Sequence, residues 1–246
     1  MYLEHLIPAR LAALADPASF VRRLLHPDLV SFGLLANLKR LESRGLLRDV
    51  DGVIDAGANA GQFAYMMSRV RGDLPIVSFE PHPESFAKLE ATFRRFSVRG
   101  RCLPLALGAR DTEDVLHVYA ESVNNSLLAR TDVPAGRTVP IQVRRLDALG
   151  PDTVPFQRML LKIDVQGAEL DVLAGAAGVL GRVRLALVEV SFVRAYAGGA
   201  GAPEVIAQLS SLGFRLLDIL DTLRLPAADG GGLREADLLF VNDRAR

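Results

Sequence analysis

The chain has 246 residues, half of them hydrophobic, with 29 basic and 29 acidic side chains and a single cysteine, Cys102. That length holds one large domain, or one domain with an appendage. The balanced charge argues against a nucleic-acid-binding surface, and one cysteine excludes an internal disulfide or a cysteine-rich metal site.

No apolar run approaches the roughly 18 residues a membrane-spanning helix needs, so none is predicted and no membrane partner is expected. Met1 to Pro8 lacks a basic leader and breaks its apolar stretch with Glu4, His5 and Pro8, unlike a signal peptide. The expectation is a soluble cytoplasmic protein. No cluster of His, Asp and Glu has metal-ligand spacing, so no metal is expected.

From residue 1 to 49 apolar side chains recur at helical spacing: Leu3, Leu6, Ile7, Leu11 and Leu14, then Leu34, Leu35, Leu38, Leu41 and Leu46. Asp16-Pro17 and His26-Pro27 divide the stretch into short helices. Two readings stand for them: a cap over a site or a homodimer contact, and simple packing against a sheet edge.

Next comes Gly52-Val-Ile-Asp-Ala-Gly-Ala-Asn-Ala-Gly-Gln62, around which the rest is organised. A short β-branched run ends in Asp55 and Ala56. A loop follows with Gly57, Ala58, Asn59 and Gly61, then a predicted helix from Gln62 to Arg71. Strand, tight loop and helix present backbone N–H groups to a nucleotide-like ligand. Gly57 can adopt a left-handed backbone, Asn59 tolerates one, and Gly61 lets helix and strand approach. The dinucleotide fingerprint needs glycine at 59 and 62, where Asn59 and Gln62 stand. An acid ahead of the loop repels a pyrophosphate but suits an ammonium group. S-adenosyl-L-methionine carries an amino-acid end, a sulfonium and no phosphate, so the loop favours it over NAD.

Pro75 to Glu80 reads as the second strand, its terminal Glu80 placed to accept two ribose hydroxyls. Pro81-His82-Pro83 turns the chain into a helix over 84–96, with His82 expected near the ribose rim. Arg101 to Leu107 is the third strand, where Ala106 and Leu107 would flank an adenine. Alternating stretches at 114–120 and 139–146 predict an added antiparallel pair. The link between them, 121–137, reads as a substrate or lid loop, or as a plain surface loop. Met159 to Asp164 is the fourth core strand, with a helix over 165–180. Strands at 185–190, 214–219 and 237–241 follow, with a helix at 203–212 before the last two. No helical pattern separates those last strands, which predicts a hairpin and hence one antiparallel strand in a mostly parallel sheet.

Ile54-Asp-Ala-Gly-Ala-Asn-Ala-Gly61, Phe79-Glu-Pro-His-Pro83, Ala106-Leu-Gly108, Leu146-Asp147 and Leu161-Lys-Ile-Asp-Val-Gln-Gly-Ala-Glu169 together resemble the FkbM family of S-adenosylmethionine-dependent methyltransferases, over about residues 50 to 242. The resemblance implies an α/β, Rossmann-like class I methyltransferase sheet of order 3-2-1-4-5-7-6 with strand 7 antiparallel. It also implies mostly O-methylation of small molecules and glycans. The family more often has Glu where Gln166 stands. The domain division expected is an N-terminal helical appendage, 1–49, and a cofactor-binding domain, 50–246.

Methyl transfer from a sulfonium is an in-line displacement that gains from positioning and, for a hydroxyl acceptor, from a general base. Asp164, at the tip of strand 4, is the expected base or methionine-end contact, and Glu189 the second candidate. An N-cap is the structural alternative for Asp164. The expected cofactor contacts are Asp55, Ala56, Gly57, Ala58, Asn59, Gly61, Glu80, Pro81, Ala106 and Leu107. Glu169 reads as a structural ion pair, with Lys162 as its buried partner. Two other functions compete: a nicotinamide-dependent oxidoreductase or epimerase, and a non-catalytic module of the same fold. The first usually needs a Tyr-x-x-x-Lys pair, which none of the four tyrosines supplies.

Overall fold

A computed structural model of the chain describes residues 31–245; the helices expected earlier in the N-terminal stretch lie outside the described residues. The elements in chain order are α1 (Phe32–Ser43), β1 (Gly52–Ala56), α2 (Gln62–Val70), β2 (Ile76–Phe79), α3 (Pro83–Phe96), β3 (Gly100–Leu103), β4 (Ala106–Leu107), β5 (Thr112–Val118), β6 (Arg137–Arg144), β7 (Met159–Ile163), α4 (Glu169–Gly175), β8 (Val183–Ser191), α5 (Ala202–Ser211), β9 (Phe214–Arg224) and β10 (Leu233–Asn242).

Seven strands form one sheet in the order β3-β2-β1-β7-β8-β10-β9. Only β10 is antiparallel to its neighbours, β8 and β9. With the core strands alone numbered, this is the expected 3-2-1-4-5-7-6. The central strands read as continuous apolar runs because helices cover both faces. On one face Val53, Leu160, Leu187 and Leu239 pack with Leu38, Leu41, Met66, Met67 and Leu89. On the other, Ile54, Leu161, Val188 and Phe240 pack with Val172, Leu173, Val205 and Leu209.

Three expectations change. The third strand stops at Leu103, because Pro104 has no N–H to continue the ladder. Ala106 and Leu107 instead pair parallel to β6, so the expected antiparallel pair becomes a three-stranded sheet, β4-β6-β5. The helix after β7 begins only at Glu169, since Gln166 and Gly167 are both left-handed, with φ of 57° and 99°. It ends at Gly175, where a Cβ would sit 1.9 Å from the Gly108 carbonyl oxygen. Cys102 is half-buried at β3, and burial pushes its thiol up to about 12, which leaves it unreactive.

Within the stretch expected as an appendage, α1 packs against the sheet. Ser31 caps α1 by accepting the Leu34 N–H, and Leu38 and Leu41 are fully buried against α2 and the sheet. Asn37 donates its side-chain amide to the Leu220 carbonyl, and Arg44 pairs with Asp218 at 2.9 Å, tying α1 to β9. No helix among the described residues is long and apolar enough to cross a membrane.

Leu38→Ala is therefore expected to lower the unfolding free energy by about 2–5 kcal/mol, as for a buried leucine in a single core. Urea denaturation reads it out. An unchanged midpoint would mean that α1 unfolds separately from the sheet.

Candidate active site

A cleft of about 250 Å³ opens at the carboxyl ends of the central strands. Its first wall is the loop after β1. Gly57 has φ 78° and Asn59 φ 46°. The N–H groups of Gly57 and Ala58 both bond the Phe79 carbonyl, at 3.1 and 3.0 Å, folding the loop against β2. A Cβ on Gly57 would lie 1.8 Å from the Asp164 carbonyl oxygen, so only glycine fits between β1 and β7. Gly61 has φ 90°, but the neighbour that a Cβ there would crowd is Leu89 of α3, 3.0 Å away, and not the strand.

Glu80 lies beside this loop, 7% exposed. One carboxylate oxygen accepts the Asn59 N–H and the other the His82 N–H, both at 2.8 Å. Each oxygen keeps a further acceptor position, and Glu80 lines the cleft. Burial pushes Glu80 up to about 7, against the two N–H bonds that hold it down. Of the expected cofactor contacts, Gly57, Ala58, Asn59 and Glu80 line the cleft, as do Pro81, Ala106 and Leu107.

Asp55, Ala56 and Gly61 do not. Asp55 is fully buried within β1, accepts from Ser78 Oγ at 2.9 Å and lies 3.8 Å from Lys162 Nζ. The ammonium that Asp55 faces is thus the protein's own. His82 is buried beside Ser85 Oγ, 3.2 Å from its Nδ1, and does not reach the cleft.

Residues two apart on a strand share a face, and directly paired residues share it across strands. Lys162 pairs with Asp55 on one side and Leu187 on the other. Two residues further along each strand, Asp164 and Glu189 form the next row, and Glu189 pairs with Asp237 of β10. Asp164, Glu189 and Asp237 all line the cleft. Sequence reading found the first two and took Asp237 only as the start of a strand.

Both oxygens of Asp164 are engaged: one accepts from Lys162 Nζ at 2.9 Å, the other from Gln166 Nε2 at 3.0 Å. Burial alone would raise Asp164, but the Lys162 ammonium and the hydrogen bonds outweigh it, and its carboxyl sits below the ordinary range. Glu189 goes the other way, up to about 10, through burial and then the charge of Asp164. Asp164 is therefore ionised and Glu189 protonated at neutral pH. Gln166 bridges the two carboxyls, and its own oxygen accepts from Tyr196 Oη at 2.9 Å.

Lys162 does not partner Glu169, because strand alternation turns it toward Asp55 and Asp164. Nor is Glu169 an ion pair: it is buried, accepts the Gly167 N–H at 2.9 Å, and is pushed up to about 7 by burial. The 121–137 link covers the cleft, with Ser122, Val123, Asn125 and Ser126 in its wall. Ser126 Oγ ties it to the Gln166 carbonyl at 2.7 Å, and Ser122 Oγ lies 3.2 Å from Asn59 Oδ1.

A family profile described as "Methyltransferase FkbM domain" matches residues 55–216. "Methyltransferase 1" of Beauveria bassiana (strain ARSEF 2860) is 30% identical over 142 residues, 50% of this chain and 57% of that protein. "Methyltransferase sdnD" of Sordaria araneosa is 31% identical over 153 residues, 50% of this chain and 59% of that protein. The chain thus spans less than two thirds of the length of these relatives. In structure, the cofactor-bound Rv0187 from MTB superposes with a TM-score of 0.50 at 15% identity, covering all of this chain and 94% of that one, which supports the fold.

Glu169 gives a pH signature. Its folded pKa is raised, so the stability it contributes is fully present below about 4.5 and is lost as pH rises through about 7. Glu169→Gln keeps an oxygen for the Gly167 N–H and cannot ionise. Thermal melts between pH 4.5 and 8 are expected to fall less steeply for the variant than for the wild type. Parallel curves would place the Glu169 carboxyl in water.

Proposed function

The chain belongs to the FkbM methyltransferase family, and from that premise we propose that it transfers a methyl group from S-adenosyl-L-methionine to a hydroxyl of a small molecule or glycan. The observation that carries the cofactor assignment is Glu80 on the Asn59 N–H. In a dinucleotide site such a loop amide faces a phosphate; here a carboxylate already holds it. A second anion at that point would be repelled, whereas a ribose can donate two hydroxyls to the lone pairs that Glu80 retains.

The residues of the cleft fit the cofactor's parts in turn. Ala106, Leu107 and Pro81 offer the small and apolar surface an adenine needs, and Glu80 the ribose contact. The loop at Gly57 to Asn59 and the ionised Asp164 face the amino-acid end. When bound, the cofactor supplies an electrophilic methyl on a positively charged sulfur. The protein holds the acceptor oxygen in line with it, and shuts out water with the 121–137 link and α1, whose Leu34 reaches the cleft. The protonated Glu189 shares its hydrogen with Asp164 and cannot take one from the acceptor hydroxyl.

Calorimetry with S-adenosyl-L-methionine and NAD in parallel tests the assignment, with binding expected for the first alone. Methyl-labelled cofactor offered with monosaccharides, phenols and amines then tests the acceptor class; label on amines and none on hydroxyls would remove the O-methylation reading. Glu80→Gln, which replaces one acceptor oxygen with a donor, is expected to weaken cofactor binding about 10–100-fold, the range for hydrogen bonds to a charged group. Unchanged affinity would remove the ribose contact.

A further inference from the structure

The three carboxyls at the floor of the cleft are not equivalent. Asp164 has both oxygens bound, to Lys162 and Gln166. Glu189 receives the second hydrogen of the same Gln166 amide. Asp237 stands apart. It lines the cleft opposite Glu189 in the β8–β10 register, and no hydrogen-bond donor among the described residues reaches its carboxylate. The groups that face it are Glu189 from β8, Lys162 and Asp164 from β7, Asp221 from β9, and Glu235 on its own strand. Among these Lys162 is the single cation, and its ammonium is held 2.9 Å from Asp164.

We propose that Asp237 is the general base of the methyl transfer, and that Asp164, held by Lys162 and Gln166, is a cofactor contact. This rests on the reading of the cleft as a methyl-transfer site. In the step, a free oxygen of Asp237 takes the acceptor's hydroxyl proton. A lone pair of that hydroxyl oxygen forms the new bond to the methyl carbon. The old carbon–sulfur bond breaks with its electron pair on sulfur, leaving a neutral thioether, and Asp237 then releases the proton to water. A base must be ionised and must have an open lone pair within reach of substrate. Asp164 is ionised, but the Lys162 ammonium and the hydrogen bonds from Gln166 and Glu189 lower its basicity; Glu189 is protonated, and Asp237 is both open and ionised at neutral pH. Burial and the neighbouring acids push it up to about 6, closer to working pH than an ordinary aspartate and hence a better proton acceptor.

The floor also has a specificity consequence. Lys162, the only cation among the described residues that line it, is paired with Asp164, so a phosphate or carboxylate on the acceptor would meet uncompensated negative charge. The acceptor class is accordingly a neutral polyol or phenol.

The test compares wild type, Asp237→Asn and Asp164→Asn. Asp237→Asn is expected to bind S-adenosylhomocysteine within about twofold of wild type. With the hydroxyl acceptor found by the labelled-methyl screen, its kcat is expected to drop about 10²–10⁴-fold, the usual range for a lost general base. The wild-type rate should rise with pH through about 6, and the variant should lack that limb. Asp164→Asn should raise the cofactor Kd as well. A 13C titration of the aspartate carboxyls in the S-adenosylhomocysteine complex needs no acceptor, and should show one resonance titrating near 6 that is missing in Asp237→Asn. Turnover retained within threefold in Asp237→Asn, or no such resonance, would overturn the proposal. A wild type that binds no S-adenosyl-L-methionine would instead overturn the methyltransferase reading beneath it.

Discussion

The architecture of the cleft depends on one buried ammonium. Lys162 is 8% exposed, in the middle of the sheet, between Asp55 at 3.8 Å and Asp164 at 2.9 Å, with the Phe63 ring 5.5 Å away. Burial would discharge an isolated lysine, but the two carboxylates reverse that and raise its pKa above the usual value. A buried pair of this kind adds little net stability, yet removing one member leaves an uncompensated charge in the core. The lysine therefore fixes Asp164 as an anion at the strand tip. That anion, with burial, in turn keeps Glu189 protonated. The protonation pattern along the row Asp164, Glu189, Asp237 follows from where one positive charge is held.

The other wall is set by a different economy of donors. The left-handed backbone at Gly57 and Asn59 turns the loop amides inward, where the Phe79 carbonyl and Glu80 take them. A phosphate at that loop thus finds the N–H groups of Gly57, Ala58 and Asn59 already taken, the last by an acid. The two walls share a theme: polar groups are first satisfied within the protein, and only chosen lone pairs are left for a ligand. Glu80 keeps one on each oxygen. Asp237 has its whole carboxylate open, which sets it apart from the other two acids of the floor.

Local sequence determined much of this. Glycine and asparagine at 57, 59 and 61 are the residues that accept positive φ at low cost, and all three have it. The apolar runs at 159–161 and 185–188 pointed to doubly covered strands, because a one-sided strand would alternate. The lack of a helical pattern before Asp237 dictated the terminal hairpin and with it the antiparallel strand.

What sequence reading missed lies in long-range pairing. It took Asp55 as a ligand for an external ammonium, since nothing local shows that Lys162, over a hundred residues later, occupies that place across the β1–β7 ladder. It gave Lys162 to Glu169, whereas Lys162 and Asp164, two apart along the strand, share a face and pair at 2.9 Å. It passed over Asp237 because an acid at the start of a strand is ordinary. Only the antiparallel register, which sets Asp237 opposite Glu189, makes it the third carboxyl of the floor. Backbone conformation and strand burial are properties of a few consecutive residues, so the sequence alone determined them. The partner of a charge depends on which strands lie side by side and in what register, and that was decided only when the whole sheet formed.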